Sequence, residues 1–513
     1  MRKHLLYIYI VVGAAFVACE STDFDDPTTL TNEEAAREIK SFSYALVTSS
    51  VQTAFQTSTS VAGVHFSLLA DQTTSTNTNS NWYQYAQEPR NRIINTSSAS
   101  AYSASINAFY EDFYQANLDA TKVIDLIEKN GIPAYDNDGK DRSEDCLIGA
   151  YYAKGIAQGY LGAIYDRGII VDRADLEERG FPNSYRELIE NGVSLLDHAI
   201  ELAQHSSNFN FDFLVGTPLE KDVFLKLANS MAARLLASIA RDKEEALALG
   251  ADYWRRVENY AEQGFTTDFT IVTVSGGYWN EHSTRQTYVN NGGAKFLPVD
   301  VKVVHLADAT GTYPESYPLG TTILDPVVTN DQRFDKYFGY TTNFGILMES
   351  RGRDLFTNYY RLRWRNEANT LNTPGAVNPY FLADETRFLR SEARLFRGDY
   401  SGAAALLNEP SARRKSIGQL PDVEPSEEAV RAALHYEYSV EIDDGGGVTL
   451  PFAFMRRNDL LQGGTPTEYP VPQEQLEIVG LDDYTFGGKG YEGERGIFGE
   501  LATARDNGWK KSK

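Results

Sequence analysis

The chain has 513 residues and carries 71 Asp and Glu against 48 Lys and Arg, a formal net charge of −23 at pH 7. Phosphate backbones repel such a surface, and no basic run exceeds Arg413-Arg414-Lys415 or Lys510-Lys511, so nucleic acid is not an expected partner. Two cysteines cannot build a disulfide framework, whereas the length permits one very large hydrophobic core or two ordinary ones.

Arg2-Lys3-His4 precede an unbroken apolar run from Leu5 to Ala18, too short to span a bilayer, which reads as a signal peptide over residues 1–18. The run ends Phe16-Val17-Ala18-Cys19 and resembles a bacterial lipobox, cut before a lipidated cysteine, with Phe16 where Leu is usual. The acidic stretch from Glu20 to Asp26 looks like the surface-export signal of Bacteroidota lipoproteins. Residues 19–30 are therefore expected to be a lipidated linker, with Cys19 the lipidation site. The expected location is the outer membrane at the cell surface, held by the lipid alone. A soluble secreted protein is the alternative. With Cys19 acylated, Cys146 is the remaining thiol, which leaves no intramolecular disulfide and no cysteine-based metal site.

Helical signals then come in pairs across residues 31–264, the predicted scaffold. Thr31-Asn32-Glu33-Glu34 opens a helix toward Val61, and Ile106, Phe109, Phe113, Ala120, Ile124 and Ile127 mark a second that stops at Gly131. Ser143-Glu144-Asp145 is expected to cap a third, whose Gly155, Gly159 and Gly162 permit close helix contact; they follow no strand, so a phosphate loop is rejected. Ser184-x-x-Glu187 and Thr217-Pro218-x-Glu220 read as capping boxes for the next two helices. Trp254, Val257 and Ala261 mark a shorter one closed by Gly264.

From 265 to 379 the character changes to short alternating runs, Phe269 to Val274 and Val301 to Leu306, broken by Gly and Pro; these predict short strands among long loops. A similar irregular stretch at about 71–95 interrupts the scaffold. Residues 380–442 hold the strongest helical signal. Leu382, Thr386, Leu389, Ala393 and Phe396 form one stripe, Gly398-Asp399 breaks it, and Tyr400, Ala403, Ala404 and Leu407 form a second. Ala393 and Ala403 around a Gly-Asp-Tyr turn match the junction of a tetratricopeptide hairpin, which must stack on further pairs to bury both faces. Residues 443–513 again look irregular. The predicted fold is mainly α, with tetratricopeptide-like helical pairs as scaffold and long loop and short-strand excursions displayed on it.

Taken in order, the lipobox, Gly149–Tyr165, Ser184–Ala203, Asp331-Gln-Arg333-Phe-Asp-Lys-Tyr337, the hairpin and Tyr469-Pro-Val-Pro-Gln-Glu-Gln-Leu476 resemble the SusD/RagB family of outer-membrane nutrient-binding lipoproteins over nearly the whole chain. One departure concerns the family's Glu-Arg-x-x-Glu-Leu helix. It appears here as Glu437-Tyr438-Ser-Val-Glu441-Ile442, and its Glu-Gly-x-Arg continuation has become Gly445-Gly446-Gly447-Val448, which puts the usual buried ion-pair network in doubt. The resemblance implies a non-catalytic lid on a SusC-like TonB-dependent transporter, which captures oligosaccharides, or in some members peptides, and needs no cofactor.

Sugars present apolar CH faces and rings of hydroxyls, so a site needs aromatic platforms flanked by Asp, Asn, Gln or Arg. Asp71, Asn81, Trp82, Tyr83, Tyr85 and Arg90 form one such cluster, in a place similar to the family's sugar-binding loop. Trp82 is expected to be the platform, outside every helical stripe. Tyr278 and Trp279 form a second cluster, and Tyr313, Tyr317 and Trp364 stand apart. An all-α glycoside hydrolase is the rival class, with Glu437 and Glu441 at i, i+4 as its carboxylates. The seven His lack paired-ligand spacing, and no Ser sits in a Gly-x-Ser-x-Gly elbow, so neither a metal hydrolase nor an esterase is expected. Asp443-Asp444 before three glycines reads as a solvated turn rather than a calcium site.

Overall fold

The structure is a computed structural model that describes residues 32–75, 82–88, 90, 94–95, 103–172, 180–215, 217–272, 297–317, 324–342, 355–363, 377–443, 445–481 and 485–486. The scaffold is a stack of helices: α1 (Asn32–Thr57), α2 (Ser103–Ile124), α3 (Ser143–Ile164), α4 (Tyr185–His205), α5 (Lys221–Ala237), α6 (Gly250–Glu262), α7 (Ala383–Phe396), α8 (Tyr400–Leu407) and α9 (Glu427–Glu437). Each packs on the next in the chain, and α3 touches α1, α2, α4 and α5. The contact between α6 and α7 spans the long excursion between them, so the insertion leaves the stack unbroken.

Apolar stripes at helical spacing form the interfaces, including the one anticipated for α2. Val47, Val51, Ala54 and Phe55 of α1, and Phe109, Phe113, Ala116 and Ala120 of α2, are fully buried. Helix α3 is buried on nearly all sides, which is why its apolar residues show little one-sidedness. Its glycines permit this: a Cβ on Gly192 of α4 would lie 2.6 Å from the backbone nitrogen of Gly159, so α3 and α4 cross in backbone contact. At the hairpin, Gly398 takes a left-handed φ of 78° and Asp399 accepts from the Gly402 backbone N–H at 2.8 Å. Ser391 donates to the Ala403 carbonyl at 3.0 Å, and Phe396 stacks on Trp254 of α6 with centroids 4.3 Å apart.

The capping box at Ser184 forms as expected. Two other caps do not. Helix α5 begins at Lys221 with Glu220 as N-cap, while the Thr217 hydroxyl accepts from the Val272 backbone N–H at 3.2 Å and ties the scaffold to a strand. Ser143 lies inside the first turn of α3, and its hydroxyl accepts from the Ala134 N–H at 2.9 Å. In both cases a tertiary partner displaces the local cap.

In the excursion, Phe269–Val272 pairs antiparallel with Val377–Phe381, as alternation predicts. Val301–Ala307 does not; it is a helix in which Asp300 caps the Lys302 N–H at 2.9 Å. Val301, Val303, Val304 and Ala307 all enter a separate small core with Tyr313, Phe334, Phe338, Tyr359 and Val440. Burial on more than one face overrides the β preference of valine here. The C-terminal region also holds helical segments, Leu450–Arg457 and Gln473–Ile478, where the sequence suggested irregular chain. No helix among the described residues is long and apolar enough to cross a membrane.

Candidate ligand-binding site

The loop that follows the short helix Val64–Leu69 begins with Asp71, whose φ of 51° is left-handed and turns the chain sharply. The sequence Asp71 to Ser75 is polar yet buried throughout. Asp71 Oδ1 accepts from Arg90 Nη2 at 2.6 Å and from Gln462 Nε2 at 2.7 Å. Arg90 also donates to the Leu68 carbonyl at 2.8 Å and to Thr465 Oγ1 at 3.2 Å. This pair closes the base of the loop.

Lys302, from the helix Val301–Ala307, joins the loop to the long excursion. Its Nζ lies 3.0 Å from Glu88 and 3.5 Å from Asp71, with 2% of the side chain exposed. Backbone bonds run alongside: the Asp300 N–H to the Gln72 carbonyl, the Thr74 N–H to the Pro298 carbonyl, and an antiparallel bridge from Thr73 to Val299. The Tyr317 N–H reaches Glu88 at 3.3 Å, and its hydroxyl accepts from the Val301 N–H at 3.2 Å. Burial alone would lower the Lys302 ammonium, but Asp71, Asp300 and Glu88 outweigh it and hold its pKa above the ordinary value. Lys302 is not legible in the sequence as a site residue, because the run around it alternates like a strand whereas the chain there is helical.

Burial, reinforced by Asp71 and Glu88, pushes the Asp300 carboxyl up to about 8, although Lys302 opposes the shift. Unfolded, that carboxyl ionises near pH ~4. Between the two values the folded chain holds the extra proton, so this contribution to stability is fully present below about pH 4 and lost as pH rises toward about 8. Asp300→Asn keeps an acceptor for the Lys302 N–H but cannot ionise. Its melting temperature should gain on the wild type as pH rises through that window and level off above it. A difference independent of pH would contradict the protonated state.

A second charged cluster sits under α9, which passes into a π-turn at Tyr438–Ile442. Arg333 is fully buried and bonds to both Glu437 oxygens at 2.7 and 2.8 Å, to Glu441 at 3.3 Å and to Asp331 at 2.7 Å. Glu441 also accepts from Arg413 at 3.0 Å and from Arg363 at 2.5 Å, while Tyr436 donates to Asp331 at 2.8 Å. A buried ion-pair network therefore forms here despite the altered motif. It also takes up both carboxylates that a hydrolase would need, since Glu437 and Glu441 are fully buried and matched by arginines. Asp443 is no solvated turn either: Arg361 binds both of its oxygens at 2.6 and 2.7 Å. Asp444 lies outside the described residues. Among the described residues no cluster of three or more His, Cys, Asp or Glu is arranged to hold a metal.

The sequence-predicted site residues divide in two. Asp71, Trp82, Tyr85 and Arg90 come together, but inside the protein: Trp82 is 3% exposed and part of the main core, and Tyr85 stacks on His65 with centroids 4.2 Å apart. The expected open tryptophan platform is corrected on that ground, because the ring packs into the main core. Tyr83 is half-buried and accepts from Gln84 Nε2 at 3.2 Å. Tyr313 is buried with its hydroxyl on the Asp325 carbonyl at 2.6 Å. Asn81, Tyr278, Trp279, Trp364 and Cys19 lie outside the described residues.

No protein-family model matches the chain, and no curated protein matches it in sequence. Solved structures do match. A SusD superfamily protein from Parabacteroides distasonis ATCC 8503 is 13% identical with a TM-score of 0.57, over 89% of this chain and 99% of that one. A SusD-like carbohydrate binding protein from Bacteroides vulgatus ATCC 8482 is 12% identical with a TM-score of 0.54, over 91% of this chain and 93% of that one. Another SusD-like carbohydrate binding protein, from Bacteroides fragilis NCTC 9343, is 12% identical with a TM-score of 0.51, over 79% and 85%. At this identity the likeness establishes the fold, and the fold is SusD-like.

Proposed function

We propose that this chain, with its SusD-like fold, is a non-catalytic nutrient-binding lipoprotein that captures oligosaccharides at the cell surface and passes them to a SusC-like TonB-dependent outer-membrane transporter. The observation that carries the reading is the extent of the structural match. It spans 93% and 85% of two proteins described as SusD-like and carbohydrate binding. The buried matching of Glu437 and Glu441 supports binding without hydrolysis. Tyr83 is proposed as the aromatic contact of the first excursion, with Asn81 beside it, and Tyr278, Trp279 and Trp364 as contacts of the second. Asp71, Trp82, Tyr85 and Arg90 hold the base of the loop that displays Tyr83. Lipid on Cys19 is proposed as the anchor.

The anchor and partner are tested together by detergent extraction of cells carrying the tagged chain. A TonB-dependent transporter should copurify with it, and Cys19→Ala should move the chain to the soluble periplasmic fraction in cells that lack the transporter. Retention of Cys19→Ala in the outer membrane of those cells would contradict the lipid anchor. Absence of any such transporter from the extract would contradict the partner.

A further inference from the structure

A cavity of about 400 Å³ opens where the excursion meets the last helical pair, between the end of the helix Val301–Ala307 and the chain from Arg414 to Tyr436. Its size is that of a small-ligand site. It shares no lining residue with the loop that carries Tyr83, so it is a separate place. Ala429 and Ala433 of α9 leave room on one wall, and the half-buried ring of Tyr436 forms another. The Tyr436 hydroxyl is tied to Asp331 at 2.8 Å, which fixes the ring.

Arg414 lines the cavity and is 5% exposed. Its Nη2 donates to the Pro421 carbonyl at 2.9 Å and its Nη1 reaches Glu437 at 3.4 Å, but its Nε has no hydrogen-bond partner among the described residues. Around the rim, Asn330 and Glu424 are exposed and offer acceptors and an amide donor.

These groups discriminate between ligand classes. An anion would meet Asp331 and Glu424, and a cation would meet Arg414. A neutral polyhydroxylated ring avoids both conflicts: its hydroxyls donate to Glu424 and pair with the Asn330 amide, and its CH face lies on Tyr436. We propose that this cavity is a second glycan subsite, which takes a terminal residue or branch of a neutral oligosaccharide. The proposal rests on the sugar-binding reading above and adds a location to it.

Hydrogen exchange of the purified mature chain tests it, with maltohexaose, cellohexaose, mannohexaose and chitohexaose as probes at millimolar concentration. At least one probe should slow exchange over residues 412–436. Ala433→Trp, which fills the cavity from a half-buried position, should remove that protection while leaving any protection of residues 82–88 intact. The rim variant Asn330→Ala/Glu424→Ala, at exposed positions, should weaken binding of the same probe by about fivefold or more. Protection at 82–88 with no change over 412–436 would overturn the cavity site and leave the sugar-binding reading standing. Failure of every probe to bind would overturn both.

Discussion

Arg333→Met is expected to prevent stable folding or to cost about 3–5 kcal/mol, the range for breaking a buried ion pair from one side. Arg333 is fully buried and is the common partner of Asp331, Glu437 and Glu441, which are themselves buried. Burial would lower its pKa, but these carboxylates outweigh burial and hold it well above the ordinary guanidinium value. Without it, Glu437 retains among the described residues the 3.4 Å contact with Arg414, and Asp331 keeps a tyrosine hydroxyl. The loss also undoes a junction, because residues 331–333 belong to the excursion and Glu437 to α9. Denaturant unfolding of the mature chain measures the effect. Glu437→Gln should cost less, since it keeps the shape and one acceptor. A loss below about 1 kcal/mol for Arg333→Met would mean that the network is dispensable.

Lys302→Met is expected to show a more local loss of about 3 kcal/mol. The variant leaves Asp71 and Glu88 short of a cation, although Arg90 still holds Asp71 at 2.6 Å. The backbone bonds between residues 72–74 and 298–300 depend on that neutralisation, so they should open first. Amide exchange should accelerate over 71–75 and 297–307 while α3 and α4 remain protected. Any ligand held between the two excursions should bind more weakly in step. Equal acceleration throughout the scaffold would show that Lys302 supports the whole core rather than the seam.

The contrast between these two clusters and the scaffold shows what a sequence discloses. Helices α2, α6, α7 and α8 follow stripes of apolar residues at helical spacing, and the hairpin at Gly398 follows from a glycine that accepts a left-handed φ. Those signals are local. Arg333 and Glu437 are 104 positions apart, and Lys302 lies more than 200 positions from Asp71 and Glu88, so nothing nearby in the chain announces their meeting. The same distance explains two errors. Val301–Leu306 alternates like a strand, but its partners bury several faces and Asp300 caps it as a helix. Trp82 is read as exposed from its polar surroundings in sequence, yet the ring enters the main core, and Asp71 to Ser75 are buried too, with Asp71 met by Arg90, Gln462 and Lys302. Composition read those residues as surface because the charges that neutralise them come from elsewhere.

The central claim is that the chain binds glycan without cleaving it. The direct measurement is calorimetric titration of the purified mature chain with the neutral oligosaccharides that retain it on a glycan array, with mass spectrometry of the recovered sugar. The account predicts saturable binding, intact oligosaccharide after prolonged incubation, and an affinity reduced severalfold by Tyr83→Ala without a change in melting temperature. Retention of no glycan, or steady release of shorter products that Glu437→Gln abolishes, would contradict it.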